Sequence, residues 1–251
     1  MKFNTDGLIL TEQTIKENDR LVTVLTRSEG IIKCFVRGAK NAKNRNHNST
    51  QLFSYSRMSI YEKGNKYTID EAELVRVFFP LLDDFEGIAL AQYLGDLAIA
   101  FVPEGSSADE YLSLMLNTFY IINIRTKPLL MVKAVCEIRL MTIAGFMPDL
   151  LCCKECGCYE SEEMYFLPEK GELLCKDCYN GDPASIRLSM GAVTAMRHSA
   201  YAESKKLFSF AVSGKALGQF ADCAEMYVLS RSERSSFQTL DFFKAMTAPV
   251  Q

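Results

Sequence analysis

Histidine is scarce: only His47 and His198 occur in 251 residues. His47 lies in a polar stretch and His198 in a helical pattern, where surface or packing roles are sufficient. There is no G-x-S-x-G, no phosphate-loop motif and no G-x-G-x-x-G, so three common catalytic and nucleotide-binding frameworks lack support. Gly214-Lys215 has neither the preceding glycine nor the following Ser/Thr of a phosphate loop. No apolar run approaches the ~18 residues of a membrane helix. The first residues, Met1 to Gly7, contain no apolar stretch of the signal-peptide kind. These absences predict a cytosolic protein that is not an enzyme. A basic excess is missing too: 28 Lys+Arg stand against 31 Asp+Glu, for a net charge of −3. Nucleic-acid-binding domains are usually basic, so the whole-chain charge argues against that class. Hydrophobic residues at 48% and charged residues at 24% are ordinary for a globular protein, which excludes disordered and collagen-like chains.

The distribution of charge reverses the first impression. Residues 1–80 carry a net +4 and residues 81–251 a net −7. Between 33 and 66 there are eight Lys/Arg and one acid, Glu62. The first part also has the period of strands. Apolar or β-branched runs at Gly7–Thr11, Arg20–Thr26, Ile31–Arg37, Leu52–Tyr61 and Tyr67–Val75 are separated by turn signals such as Ser28-Glu29-Gly30 and Lys63-Gly64-Asn65. Five short strands predict a small barrel or sandwich. The polar stretch Gly38–Thr50 between the third and fourth runs reads as a mobile loop.

Near Pro80 the period changes to that of helices. Asp83 and Glu86 form a cap-like pair before a helix running to Phe101. A second helix follows Ser107, and a third lies between Pro128 and Gly145; the third is apolar on most sides and therefore central. Ser189–Ala202 and Lys215–Leu229 predict two more.

The strongest local signal is Cys153-Lys-Glu-Cys156 followed, eighteen residues later, by Cys175-Lys-Asp-Cys178. Each C-x2-C turn aims two sulfurs at one centre, and two such turns supply the tetrahedron of thiolates that Zn²⁺ accepts. The other readings are buried free thiols or a redox pair, but redox motifs usually come singly beside a βαβ pattern that is missing here. Four sulfurs leave no position for water, so the metal reads as structural; a metal hydrolase would need an open position. Cys152 and Cys158 are alternative ligands. Cys34, Cys136 and Cys223 read as core thiols.

Lys33, Arg37, Lys40, Lys43, Arg45 and Arg57 occur with no acid between Gly30 and Tyr61. Such charges beside a barrel can follow a phosphate backbone by releasing counterions. Phe35, Phe53, Tyr55 and Tyr61 are interleaved with them. On an extended strand Phe53, Tyr55, Arg57 and Tyr61 share a face, which is either core or a platform for unpaired bases. A charge run is also often only a solvated loop.

In order and spacing the parts resemble the bacterial RecO recombination mediators across nearly the whole chain. The likeness rests on Gly7-Leu8-Ile9-Leu10, Asn18-Asp19-Arg20-Leu21-Val22, Val36-Arg37-Gly38-Ala39-Lys40, Gln51-Leu52-Phe53, Glu137-Ile138-Arg139-Leu140 and Gly145-Phe146-Met147-Pro148-Asp149-Leu150, ending in Cys153-Lys-Glu-Cys156-Gly157. The register of Pro148 and Leu150 selects Cys153 over Cys152 as the first ligand. The sequence departs from the family at Asn41–Asn46, which is richer in Asn and less charged than the usual basic run. The resemblance implies a two-domain α+β protein: a five-stranded OB-fold barrel at 1–80, then an all-α domain at 81–251 with an inserted four-cysteine zinc module at about 149–182. It implies one structural Zn²⁺ on Cys153, Cys156, Cys175 and Cys178, and DNA contacts drawn from Lys33, Arg37, Lys40, Lys43, Arg45, Arg57, Phe53 and Tyr55. It further implies binding of single- and double-stranded DNA, strand annealing, and, with RecR, loading of RecA onto strands coated by single-strand-binding protein. The implied location is the cytoplasm, at the nucleoid. The competing expectation is a protein-interaction adaptor whose barrel has little affinity for DNA.

Overall fold

A computed structural model describes residues 1–15, 17–64, 66–79 and 84–247. The chain packs as two compact units: residues 1–123 with the segment from Thr239 onward, and residues 124–238.

The first unit is built on five strands, β1 (Lys2–Ile15), β2 (Asp19–Thr26), β3 (Gly30–Val36), β4 (Ser54–Lys63) and β5 (Lys66–Val77). They close into a barrel in the order β1-β2-β3-β5-β4, with β3 and β5 parallel and the other pairs antiparallel. This is the Greek-key order of an OB-type barrel. Val22 and Val24, then Ile32, Cys34 and Val36, then Met58 and Ile60 alternate into its core, which leaves every second side chain outside. β1 is longer than its apolar run predicts, because its polar second half pairs with β2 while its first half pairs with β4. Leu8, Ile9 and Leu10 are all buried. Ile9 faces the barrel core, while Leu10 lies beneath Gly95 of helix α1 (Phe85–Phe101). An uninterrupted apolar run thus marks a strand covered on both faces.

Helices α1 and α2 (Asp109–Ile124) belong to this unit. The change of period expected at 80/81 separates strands from helices in sequence, whereas the compact units divide at 123/124. The reason is a shared core: Phe53, Phe79 and Phe119 of α2 meet edge to face, with centroids 5.2 to 6.0 Å apart. The β2–β3 turn also docks on the α1–α2 connection, through Gly105 N–H to Glu29 O (3.0 Å) and Ala108 N–H to Arg27 O (2.9 Å). Pro80 and Asp83 lie outside the described residues. Asp84 caps α1, its Oδ1 accepting from Gly87 N–H at 2.8 Å.

The second unit holds α3 (Leu129–Ile143), three short strands, and two further helices, α4 (Met190–Tyr201) and α5 (Gly214–Arg231). α3 is buried on most of its circumference and packs against α4 and α5, as its apolar pattern predicts. The strands β6 (Met164–Leu167), β7 (Glu172–Cys175) and β8 (Ile186–Leu188) form one sheet in the order β7-β6-β8. β6 and β7 are a hairpin joining the two cysteine pairs, and β8 adds a third strand that the sequence does not mark. The last helix, α6 (Gln238–Thr247), is likewise unmarked in the sequence and joins the first unit, where Thr239 Oγ1 donates to Asp96 Oδ2 at 2.7 Å. Among the described residues no helix is long and apolar enough to cross a membrane.

Candidate nucleic-acid interface and metal centre

The alternation of β3 places Lys33, Phe35 and Arg37 outward in one line, with Cys34 and Val36 inside. Phe35 stays 40% exposed between the two cations. Strand register extends this line across the barrel wall. Lys2 pairs with Tyr61, Tyr61 with Thr68, and Thr68 with Phe35. The half-exposed rings of Tyr61 and Phe35 therefore stand in one row, two strands and roughly 10 Å apart. A groove of about 860 Å³ runs along this region, lined by Arg37, Arg45, Lys63, Lys66 and Asp70 as well as Lys2, Tyr61 and Thr68. A smaller cavity of about 260 Å³ continues it past Arg37 and Lys66 to Phe35. Among the described residues, Arg37, Lys63 and Lys66 join no ion pair. Lys2, Lys63 and Lys66 are absent from the DNA contacts expected from the sequence, where Tyr61 stands only as one of the interleaved aromatics; strand register brings all four beside Arg37.

The expected contacts separate into distinct groups. Arg37 and Arg45 line the groove, and Lys33 stands on the same outward line of β3. Lys40 and Lys43 are exposed in the loop after β3. Arg57 and Tyr55 lie elsewhere on the wall and are tied to acids: Arg57 sits in register between Asp6 and Glu73, 3.5 Å from Glu73, and Tyr55 Oη donates to Asp6 at 3.2 Å. Phe53 must be corrected. It is 1% exposed, at a left-handed turn (φ 59°) before β4 rather than on the strand, and its ring belongs to the core with Phe79 and Phe119. It offers no face to a base.

The mobile loop is a second correction. Gly38–Thr50 is fastened to the barrel by its asparagines, whose short amides replace backbone partners. Asn46, 5% exposed, donates to Asp70 O (3.1 Å) and accepts from Ala72 N–H (3.0 Å). Asn44 donates to Arg37 O, His47 Nδ1 lies 2.7 Å from Ala39 O, and Arg20 donates to His47 O. The same anchoring holds Arg45 against β5, where it pairs with Glu71 and lies near Asp70.

In the second unit the two C-x2-C turns converge. The Sγ atoms of Cys153, Cys156, Cys175 and Cys178 all lie within 4.8 Å of one another. The first turn is closed by Gly157 N–H to Cys153 O (2.9 Å), with Gly157 at φ 73° where a side chain would be strained. The second is closed by Cys178 N–H to Cys175 O (3.1 Å), directly at the end of β7. Lys154 N–H to Leu173 O (2.8 Å) joins the two. Cys156 and Cys175 sulfurs are 3.6 Å apart, far beyond a disulfide bond and near the roughly 3.8 Å of two sulfurs bound to one tetrahedral Zn²⁺. The donors thus fit a closed four-sulfur metal site. Burial pushes the Cys153 thiol up, but hydrogen bonds from the backbone of Cys156, Cys175 and Glu155 outweigh it and hold it at about 6. Cys178 is raised, chiefly through its hydrogen bonds with Cys156 and Cys175. Without a cation the Cys153 thiolate forms readily, while Cys156 and Cys178 resist a second negative charge. Cys152 and Cys158 lie outside the group of four, Cys158 donating to Glu160 O at 2.8 Å. Cys34, Cys136 and Cys223 are buried, and burial raises Cys34 to about 12.

A residue that the sequence does not mark holds this module in place. Arg197 of α4 donates to the carbonyls of Leu150 (2.7 Å), Leu151 (2.9 Å) and Tyr159 (2.8 Å), and its guanidinium lies 4.0 Å from the Tyr159 ring centre.

Comparison with known proteins covers nearly the whole chain. A family model described as "Recombination protein O N terminal" matches residues 1–78, and one described as "Recombination protein O C terminal" matches residues 82–240. Among curated relatives, "DNA repair protein RecO" of Acetivibrio thermocellus is 28% identical over 244 residues, 97% of each chain. The protein of the same name from Symbiobacterium thermophilum is 27% identical over 92% of this chain and 93% of its own. That of Desulforudis audaxviator is 30% identical over 72% of each. The chain therefore belongs to the RecO family of DNA repair and recombination proteins, non-catalytic mediators.

Proposed function

We propose that the barrel wall around Phe35, Tyr61 and Arg37 binds single- and double-stranded DNA, and that the protein anneals complementary strands. The observation that carries this reading is the cross-strand row of Lys2, Tyr61, Thr68 and Phe35 beside three unpaired cations. Unpaired cations capture phosphates by counterion release, and exposed rings stack on unpaired bases of any sequence. Such a grip is sequence-tolerant and lost to salt, so strands can be held, compared and released without nucleotide hydrolysis. Family membership extends the role to a mediator that acts with RecR to load RecA onto strands coated by single-strand-binding protein. In the second unit, Cys153, Cys156, Cys175 and Cys178 hold one structural Zn²⁺, which cross-links the two turns. Its closed sulfur shell assigns it no chemistry on DNA.

The test is annealing of complementary oligonucleotides across a salt series, with and without single-strand-binding protein. Annealing without ATP is expected, with single-strand affinity falling steeply as salt rises. Changing Arg37 and Lys66 together to Ala should weaken binding for all sequences and flatten the log–log salt slope by about 1.4, or 0.7 per lost phosphate contact. Negligible DNA affinity at physiological salt would instead support a protein-interaction adaptor.

A further inference from the structure

The groove carries its own anion. Asp70 of β5 sends Oδ2 to Lys2 Nζ at 2.7 Å, and its Oδ1 lies 3.8 Å from Arg45 Nη2. Arg45 reaches Glu71 through its other amino group. One carboxylate thus bridges a lysine and an arginine on the groove wall, much as two oxygens of a phosphodiester would. Arg37, Lys63 and Lys66 line the same groove and pair with no acid among the described residues. The groove therefore holds two kinds of cation, unpaired and already neutralised. The neutralised ones stay accessible: the side chains of Lys2, Asp70 and Arg45 are 52%, 47% and 63% exposed. Ion pairs so exposed are weak and exchangeable, so an arriving phosphate can compete for both cations.

Resting on the reading of this groove as the DNA site, we infer that Asp70 limits affinity. It is an internal competitor that occupies Lys2 and Arg45 and keeps the hold on a single strand loose. A cation held by a carboxylate adds little to the net neutralisation of phosphate, so the salt slope should report mainly the unpaired cations. Asp70 would set how readily a bound strand is given up, which matters for a protein that passes strands on rather than storing them.

The experiment is equilibrium binding of a fluorescent oligo-dT strand to the full-length protein across a NaCl series. Asp70→Asn should tighten binding several-fold at low salt and steepen the log–log slope by about 0.7, the one phosphate contact that Lys2 adds while Glu71 still holds Arg45. Lys2→Ala should cost little in the parent protein and several-fold in the Asp70→Asn background. Glu71→Gln added to Asp70→Asn should free Arg45 as well and steepen the slope by about a further 0.7, and Asp70→Ser repeats the first arm if Asp70→Asn fails to fold. Unchanged affinity and slope in both acid variants overturn the inference. Arg37→Ala with Lys66→Ala separates the two levels: if that pair weakens binding while the acid variants do nothing, only the competitor role falls. If it too leaves binding unchanged, the groove is not the DNA site.

Discussion

Cys156 Sγ lies 3.6 Å from Cys175 Sγ, although the two residues are 19 positions apart in different turns, with the β6–β7 loop between them. The two other sulfurs complete the group, so the metal reading has a quantitative consequence. The protein as purified should contain one Zn²⁺ per chain by elemental analysis. Cys175→Ser should abolish it and destabilise the second unit by on the order of several kcal/mol, since metal binding free energy is folding free energy here. Chelation of the parent protein should reproduce the loss. Parent protein that carries no metal as purified, and melts no higher than the variant, would sink the assignment.

Two phenylalanines in and beside the barrel should behave oppositely. Phe35→Ala removes a half-exposed ring, so the expected loss is in single-strand affinity, roughly 1–3 kcal/mol, with little change in melting temperature. Phe53→Ala empties a buried site between two other rings and should cost about 3–5 kcal/mol of stability. Binding titrations and denaturant unfolding of both variants make the comparison. Equal affinity losses in the two would show that neither ring meets a base directly.

Within the second unit, Lys133 of α3 is 1% exposed and lies 2.9 Å from Glu137 and 3.0 Å from Glu225 of α5. Burial lowers its pKa, but the two carboxylates outweigh that and raise it overall. A raised lysine contributes stability that is fully present below the ordinary value of 10.5 and lost as pH climbs through the higher folded value. Lys133→Ala leaves carboxylates buried without their cation and should cost about 3–5 kcal/mol at neutral pH. Urea unfolding of parent and variant should show that gap narrowing in strong alkali, where Lys133 loses its proton, and in acid, where the carboxylates take one up; a gap independent of pH would contradict the assigned charges.

Gly30 sits at φ 63° in the β2–β3 turn, and a Cβ there would fall on the Pro103 carbonyl oxygen. Gly64 has φ 54° with open space around it. Both Ala variants meet the left-handed cost of roughly 1–2 kcal/mol, but Gly30→Ala adds a collision between turn and helix connection. Thermal unfolding should therefore rank Gly30→Ala well below Gly64→Ala. Equal melting temperatures would mean that the turn is free to move off Pro103.

Much of the fold is readable because the local pattern and the final environment coincide. Ile32 to Val36 alternate as a half-buried strand must, and the cysteine spacing leaves few geometries open. The unread parts depend on pairing between segments remote in sequence. The acids Asp70, Glu71 and Glu73 follow the basic window, so a running count leaves them out, yet hairpin register and the anchored loop bring them against Lys2, Arg57 and Arg45. Phe53 looks like the start of a strand, and only its left-handed backbone turns it into the core. β8 is three residues long and α6 ten, short enough that propensity alone carries little signal.

The return of α6 to the first unit bears on the order in which the protein can be completed during synthesis. Thr239 reaches back across 143 positions to Asp96, and Leu240 and Phe243 are buried. The barrel and its first two helices leave the ribosome early, but their last structural segment emerges only after the whole cysteine-bearing unit has been made. The second unit is thus, in chain order, an insertion inside the first. A nascent chain can bring its four cysteines together and fold that insertion while the barrel side still waits for its final helix.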